Sequence, residues 1–102
     1  MKLSIVSPGG SGFEGTIESL TVDSLGGQLT ILPLHADFLA FFDMTEIRVI
    51  TTDATRFDDL WACDGYVQVN GAHVYVIAQF TSSCEAEVRE VRQHLASVRG
   101  SS

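Results

Sequence analysis

YVQVNGAHVYVIA, residues 66–78, decides how the rest of this chain reads. Val67 and Val69 precede Asn70–Gly71, and Val74 and Val76 follow it, alternating with Gln68, His73 and Tyr75. Alternation is the mark of a strand with one dry face and one wet face, because successive side chains point to opposite sides of a sheet. Asn and Gly readily take the positive φ of a primed two-residue turn, so the stretch predicts a β-hairpin closed by Asn70–Gly71.

The same period of two runs outward through most of the chain. Leu3 and Ile5 alternate with Lys2 and Ser4, and Ile47 and Val49 alternate with Glu46 and Arg48. Punctuation at SPGGSG, SLGG, FDMT and TTDAT divides the region into strands near 2–7, 13–23, 28–32, 36–42, 46–52, 56–63, 65–70 and 73–80. Strands this short and numerous must cover two dry faces, which predicts a mainly β fold, a flattened antiparallel β-sandwich or barrel of about eight to ten strands. After Phe80 the period changes. Cys84, Val88, Val91, Leu95 and Val98 are spaced four, three, four and three apart, the stripe of an amphipathic helix over about 83–99. Ser82 followed by Glu85 forms a capping-box pattern, Glu85 and Arg89 an i,i+4 ion pair, and Gly100 a stop. The organisation is therefore a β-sandwich domain over 1–81 followed by a C-terminal amphipathic helix and tail over 82–102.

Composition narrows the function. The chain has 102 residues, enough for one domain with a real core, and a formal charge of −7. Residues 1–80 hold ten acids against Lys2, Arg48 and Arg56, so the whole excess lies in the β region. Such a surface repels phosphate backbones and anionic lipid, which argues against nucleic acid and direct membrane insertion and suits a basic protein partner. Cys63 and Cys84 stand apart, without a C-x-x-C pair, as two free thiols of a reducing compartment. The longest apolar run, FLAFF, is far short of the ~20 residues of a membrane span, and MKLSIVSP is no secretory signal.

Three stretches offer chemistry. Residues 10–15, GSGFEG, spell G-x-G-x-x-G, but a phosphate-binding loop must open a helix and TIESLTV reads as strand. The acids from Asp53 to Asp64 lack the central Gly and closing Glu of a calcium loop, and Phe57 and Leu60 stand in ligand places. Asp58 reads as solvated strand charge, whereas Asp59 shares parity with Phe57 and Trp61 and either points inward or sits at a bulge. His35 and Asp37, in LPLHADF, lie two apart, so the aspartate could orient the imidazole, yet catalysis needs a nucleophile or metal from elsewhere. No G-x-S-x-G elbow is present, and no spacing ties His73 or His94 to His35. The residues favour a polar turn after Pro33; a small hydrolase or binding module using His35 and Asp37 is the alternative.

Taken in order, several segments resemble the epsilon subunit of F-type ATP synthases in its N-terminal β-sandwich domain. MKLSIVSP (1–8) is similar to the opening strand, FEGTIESLTV (13–22) to the second, GQLTILPLHADF (27–38) to the family's G-x-L-G-I-L-P-x-H-A-P-L motif, and CDGYVQVNGAHVYVIAQFT (63–81) to its S-G-G segment. Thr30, Leu34, Asp37 and Phe38 depart from the motif, Leu34 replacing Gly or Asn and Gln28 standing where an acid is common. HADFLAFF is closer to the alternative, often sodium-translocating, branch.

The resemblance implies a non-catalytic rotor subunit without cofactor or metal, which clamps the gamma subunit and rests on the membrane c-ring, coupling ion flow to ATP synthesis. It places Ser7, His35, Asp37, Phe38 and Ala40 toward gamma and Gly26, Gly27 and Gln28 toward the c-ring. It also implies a peripheral position on the cytoplasmic face of a bacterial inner membrane. The family's usual two-helix ending has room for one helix here, so inhibition and nucleotide binding are not carried over.

Overall fold

A computed structural model describes residues 1–8, 12–34, 36–52 and 56–100. Six strands and one helix follow in order: β1 (Lys2–Val6), β2 (Phe13–Ser24), β3 (Gly27–Ile31), β4 (Phe38–Thr51), β5 (Arg56–Asn70), β6 (His73–Ser82) and α1 (Glu85–Gly100). The sheet order is β1-β6-β5-β4-β2-β3, and β1 pairs again with β2, so five strands close into a barrel and β3 is a flap on β2. Closure removes the edges of those five strands, which would otherwise recruit other chains. Inside lie Leu3, Ile5, Ile17, Leu20, Val22, Ile31, Phe42, Ile47, Val49, Val67, Val69, Val74 and Val76, all buried.

The architecture is the expected flattened β-barrel with one helix, and the details differ in three ways. Strands expected at 36–42 and 46–52 are one strand, β4, and those at 56–63 and 65–70 are one strand, β5. The punctuation marks a crease rather than a break. On β4 the inward positions pass from Phe42 to Thr45, Ile47 and Val49, on β5 from Leu60 and Ala62 to Val67 and Val69, and on β6 from Val74, Val76 and Ala78 to Thr81. The rungs Phe42–Gly65–Ala78 and Met44–Cys63–Phe80 flank the change, so Asp43, Asp64 and Gln79 lie at one level. There the single sheet folds over and its faces exchange, which flattens the barrel into two layers. Asp64 has φ 52. A Cβ on Gly65 would lie 1.9 Å from the Ile77 carbonyl oxygen, so only glycine lets β5 approach β6 at the crease.

Second, β1 and β6 run parallel, Lys2 beside His73 and Val6 beside Ile77, in a sheet otherwise antiparallel among the described pairings. Third, Asn70 pairs with His73, so the hairpin turn is centred on Gly71–Ala72, one residue later than Asn70–Gly71. Gly71 carries the positive φ, 63°, at the first central position, where a II′ turn requires glycine. At the far end, the β4–β5 register shifts between Ile47↔Leu60 and Val49↔Phe57, which puts Asp58 and Asp59 together opposite Arg48 as a bulge.

The helix begins beside the barrel. Ser82 Oγ accepts the Cys84 N–H at 3.1 Å, Val88 N–H bonds Cys84 C=O at 3.3 Å, and Arg89 pairs with Glu85 as expected. Helix α1 packs on β4, β5 and β6. Its anchor is Val88, fully buried; Val91 and Leu95 are half-buried and Cys84 is exposed. Arg92 reaches Asp43 at 3.3 Å, tying the second turn of the helix to the crease. Beneath it Cys63 is buried, and burial, reinforced by the Asp64 charge, raises its thiol pKa to about 11.

Candidate interaction surface

The residues singled out for chemistry are dispersed or structurally committed. Asp37 is exposed, and its Oδ1 accepts the Gly71 N–H at 2.8 Å. It therefore fastens the start of β4 to the β5–β6 turn, satisfying a turn amide as an aspartate in a loop commonly does. His35 lies outside the described residues, as do Gly10 of the glycine-rich stretch and Asp53 of the acidic one. The depression nearest Asp37 is lined by Met1, Pro33, Leu34, Gly71 and Ala72, with no titratable side chain among them. Among the described residues no three His, Cys, Asp or Glu side chains gather as a metal site. Phe13 opens a strand rather than a helix, so no helix terminus faces the glycines of 12–15. His73 is half-buried, its Nε2 2.9 Å from Ser4 Oγ and its ring stacked on Tyr75. His94 is exposed on α1.

The residues expected to meet partners are spread over three places. Phe38 packs against the core and Ala40 is half-buried on the same side of β4. Ser7 follows β1, its hydroxyl buried with no hydrogen-bond partner among the described residues. Gly26, Gly27 and Gln28 are exposed at the β2–β3 hairpin, whose connecting residues are Leu25 and Gly26. Gly27 has φ 117, and its carbonyl accepts the Ser24 hydroxyl at 2.7 Å, so this tip is fixed by its own hydrogen bond.

What sequence reading missed is on the outside of the barrel. Val6, Ile77, Tyr66 and Phe41 are consecutive partners across β1, β6, β5 and β4. Each alternates with a buried neighbour, so all four point outward on one rung about 14 Å long, at ~4.8 Å per strand. Val6 is 51% and Phe41 54% exposed; Tyr66 lies against Phe41 with ring centroids 6.0 Å apart. Leu25, 67% exposed, extends the rung, its N–H bonded to Phe41 C=O at 2.9 Å, and Leu39 stands beside it, also exposed. Single exposed apolar residues are ordinary, whereas a contiguous row on a stiff sheet marks a contact surface. The signal was present as apolar residues of the wrong parity: Val6 after Ile5, Ile77 after Val76, Phe41 before Phe42.

A closed barrel that presents an apolar row and a hydrogen-bonded hairpin tip is an interaction domain. The comparisons specify which. The model of the ATP synthase delta/epsilon chain β-sandwich domain matches residues 1–82, and the chain belongs to that family as an epsilon-type chain. The ATP synthase epsilon chain of Cutibacterium acnes is 31% identical over 97% of this chain and 68% of its own length. That of Prochlorococcus marinus is 29% identical over 98% of this chain and 80% of its own. This chain spans 55% of the length of the Ligilactobacillus salivarius relative and 59% of the Wolinella succinogenes one. In fold it is similar to a chain in the central stalk/c-ring structure of the Tetrahymena thermophila mitochondrial ATP synthase, with TM-score 0.58, 15% identity, and coverage of 79% of this chain and 64% of that one.

Proposed function

We propose that this chain is a non-catalytic central-stalk subunit of an F-type ATP synthase, a stiff plate that holds the gamma subunit in register with the membrane c-ring and so couples ion translocation to ATP synthesis. The observation that carries it is the outward apolar rung Val6–Ile77–Tyr66–Phe41 on a closed barrel, a surface with a use only when a partner covers it. Gamma meets the end of β1 at Ser7 and the start of β4 at His35, Asp37, Phe38 and Ala40. There Phe38 and Ala40 shape the strand from within while Leu39 and Phe41 project. The hairpin tip at Gly26, Gly27 and Gln28 meets the c-ring. Residues 1–81 are the load-bearing β-sandwich domain and 82–102 hold the C-terminal amphipathic helix and tail, of which α1 packs on the barrel. Among the described residues no helix is long and apolar enough to cross a membrane. Attachment runs through the complex, on the cytoplasmic face of a bacterial inner membrane.

Torque transmission needs a body that does not deform, which closure and dense packing supply. A basic gamma surface would complement the −7 charge of this chain. The test is reconstitution of the rotor from purified gamma, c-ring and this chain. Retention of all three on gel filtration, with this chain needed for gamma and the c-ring to co-elute, supports the proposal. Failure of the chain to bind either partner overturns it.

A further inference from the structure

Leu34 is held where a leucine gains nothing by itself. Its φ is 68°, in the left-handed region that a side chain with a Cβ strains to adopt, and its exposure is 104%, so no contact offsets that strain. The corner around it is fixed. Asp37 Oδ1 takes the Gly71 N–H, Lys2 N–H donates to Ala72 C=O at 2.9 Å, and Met1 exchanges backbone hydrogen bonds with Ile17. Leu32, 54% exposed, and Pro33 flank it, making an apolar knob on a rigid base beside the shallow depression of Met1, Gly71 and Ala72. Strain kept at a fully exposed apolar residue points to a role in contact.

We infer that Leu34 is the anchor residue of the gamma-facing corner, inserting into an apolar socket on gamma. This deepens the proposed rotor role and rests on it. The socket has a basic rim, because the carboxylate of Asp37 stands exposed two residues past His35 in a chain of net charge −7. The knob projects beyond a hydrogen-bonded base, the placement from which a single large apolar side chain dominates an interface.

The test uses the full chain and purified gamma, with Leu34→Gly, Leu34→Ala and Leu34→Met. Glycine fits the positive φ, so Leu34→Gly should melt a few degrees higher than the parent while binding gamma about tenfold or more weakly. Leu34→Ala keeps the strain and loses the knob, so affinity falls without a gain in melting temperature. Leu34→Met restores binding to within about twofold. A parent chain that binds gamma, with a Leu34→Gly variant that binds equally well, overturns the anchor alone. A parent chain that does not bind gamma overturns both the anchor and the rotor role. Concentration-dependent dimerisation of the parent that Leu34→Gly abolishes assigns the knob to a second copy and also overturns the inference.

Discussion

Two neighbouring outward rungs on the same four strands differ in character. Val6–Ile77–Tyr66–Phe41 is apolar from end to end apart from one phenol, while Ser4–Tyr75–Gln68–Leu39, two residues along each strand, is mixed and hydrogen-bonded, with Ser4 on His73. Both rungs back onto the same inward row, Ile5–Val76–Val67–Ala40, buried but for half-buried Ala40, which lies between them. The fold therefore demands nothing different of the two. Their difference belongs to what covers the outside, and mutations that separate inside from outside can break that claim.

The largest effect belongs to neither rung but to the crease that bounds them. Gly65→Ala drives a Cβ into the Ile77 carbonyl, backbone that cannot rotate away, and should cost about 3 kcal/mol or prevent folding, read by urea denaturation. Next comes Val76→Ala on the inner row, fully buried, expected to cost about 2 kcal/mol. Its outer counterpart Phe41→Ser should change stability by less than about 1 kcal/mol and weaken binding to the proposed gamma partner about tenfold or more. If Phe41→Ser destabilises as much as Val76→Ala, the outer rung is structural and the contrast fails.

These contrasts also show what a sequence discloses. Alternation along 66–78 placed Val67, Val69, Val74 and Val76 inside, because burial of one sheet face is a property of a single strand. The outward rung was hidden because its members come from four strands, up to 71 positions apart, and become a row only through register. The crease is half legible: FDMT and the break at Asp64 between 56–63 and 65–70 read as strand ends, whereas the backbone continues and exchanges faces. No local pattern distinguishes an end from a fold-over. Asp37 was legible as polar and paired, but its partner is a turn amide 34 positions away, so whether it served a turn or a catalyst depended on tertiary contact.

The buried thiol under the helix gives a prediction with a definite sign. Cys63 ionises at about 11 when folded and nearer the ordinary value of 9.0 when unfolded, so between those pH values the unfolded state holds fewer protons. Stability should fall as pH rises through that window, and Cys63→Ser should flatten the fall. In native protein at neutral pH a thiol reagent should modify Cys84, which is exposed, and leave Cys63 untouched. Rapid modification of both would mean that α1 does not cover β5 and β6.

The smallest effects test how the helix is held, in contrast to the barrel. Among its described side chains Val88 is the fully buried one, whereas the Arg92–Asp43 pair is 3.3 Å long with both side chains over a third exposed. Burial of a valine contributes about 1.5 kcal/mol or more, and an exposed ion pair about 0.2–1 kcal/mol, weakened further by salt. Val88→Ala should therefore release α1, seen as faster amide exchange along 88–95 and gained reactivity at Cys63, while the barrel amides stay protected. Asp43→Asn should shift the same readouts slightly, and only at low ionic strength. Equal release by both variants would make the helix an electrostatic latch, responsive to salt and to charged partners at the crease, instead of a hydrophobically docked extension of the plate.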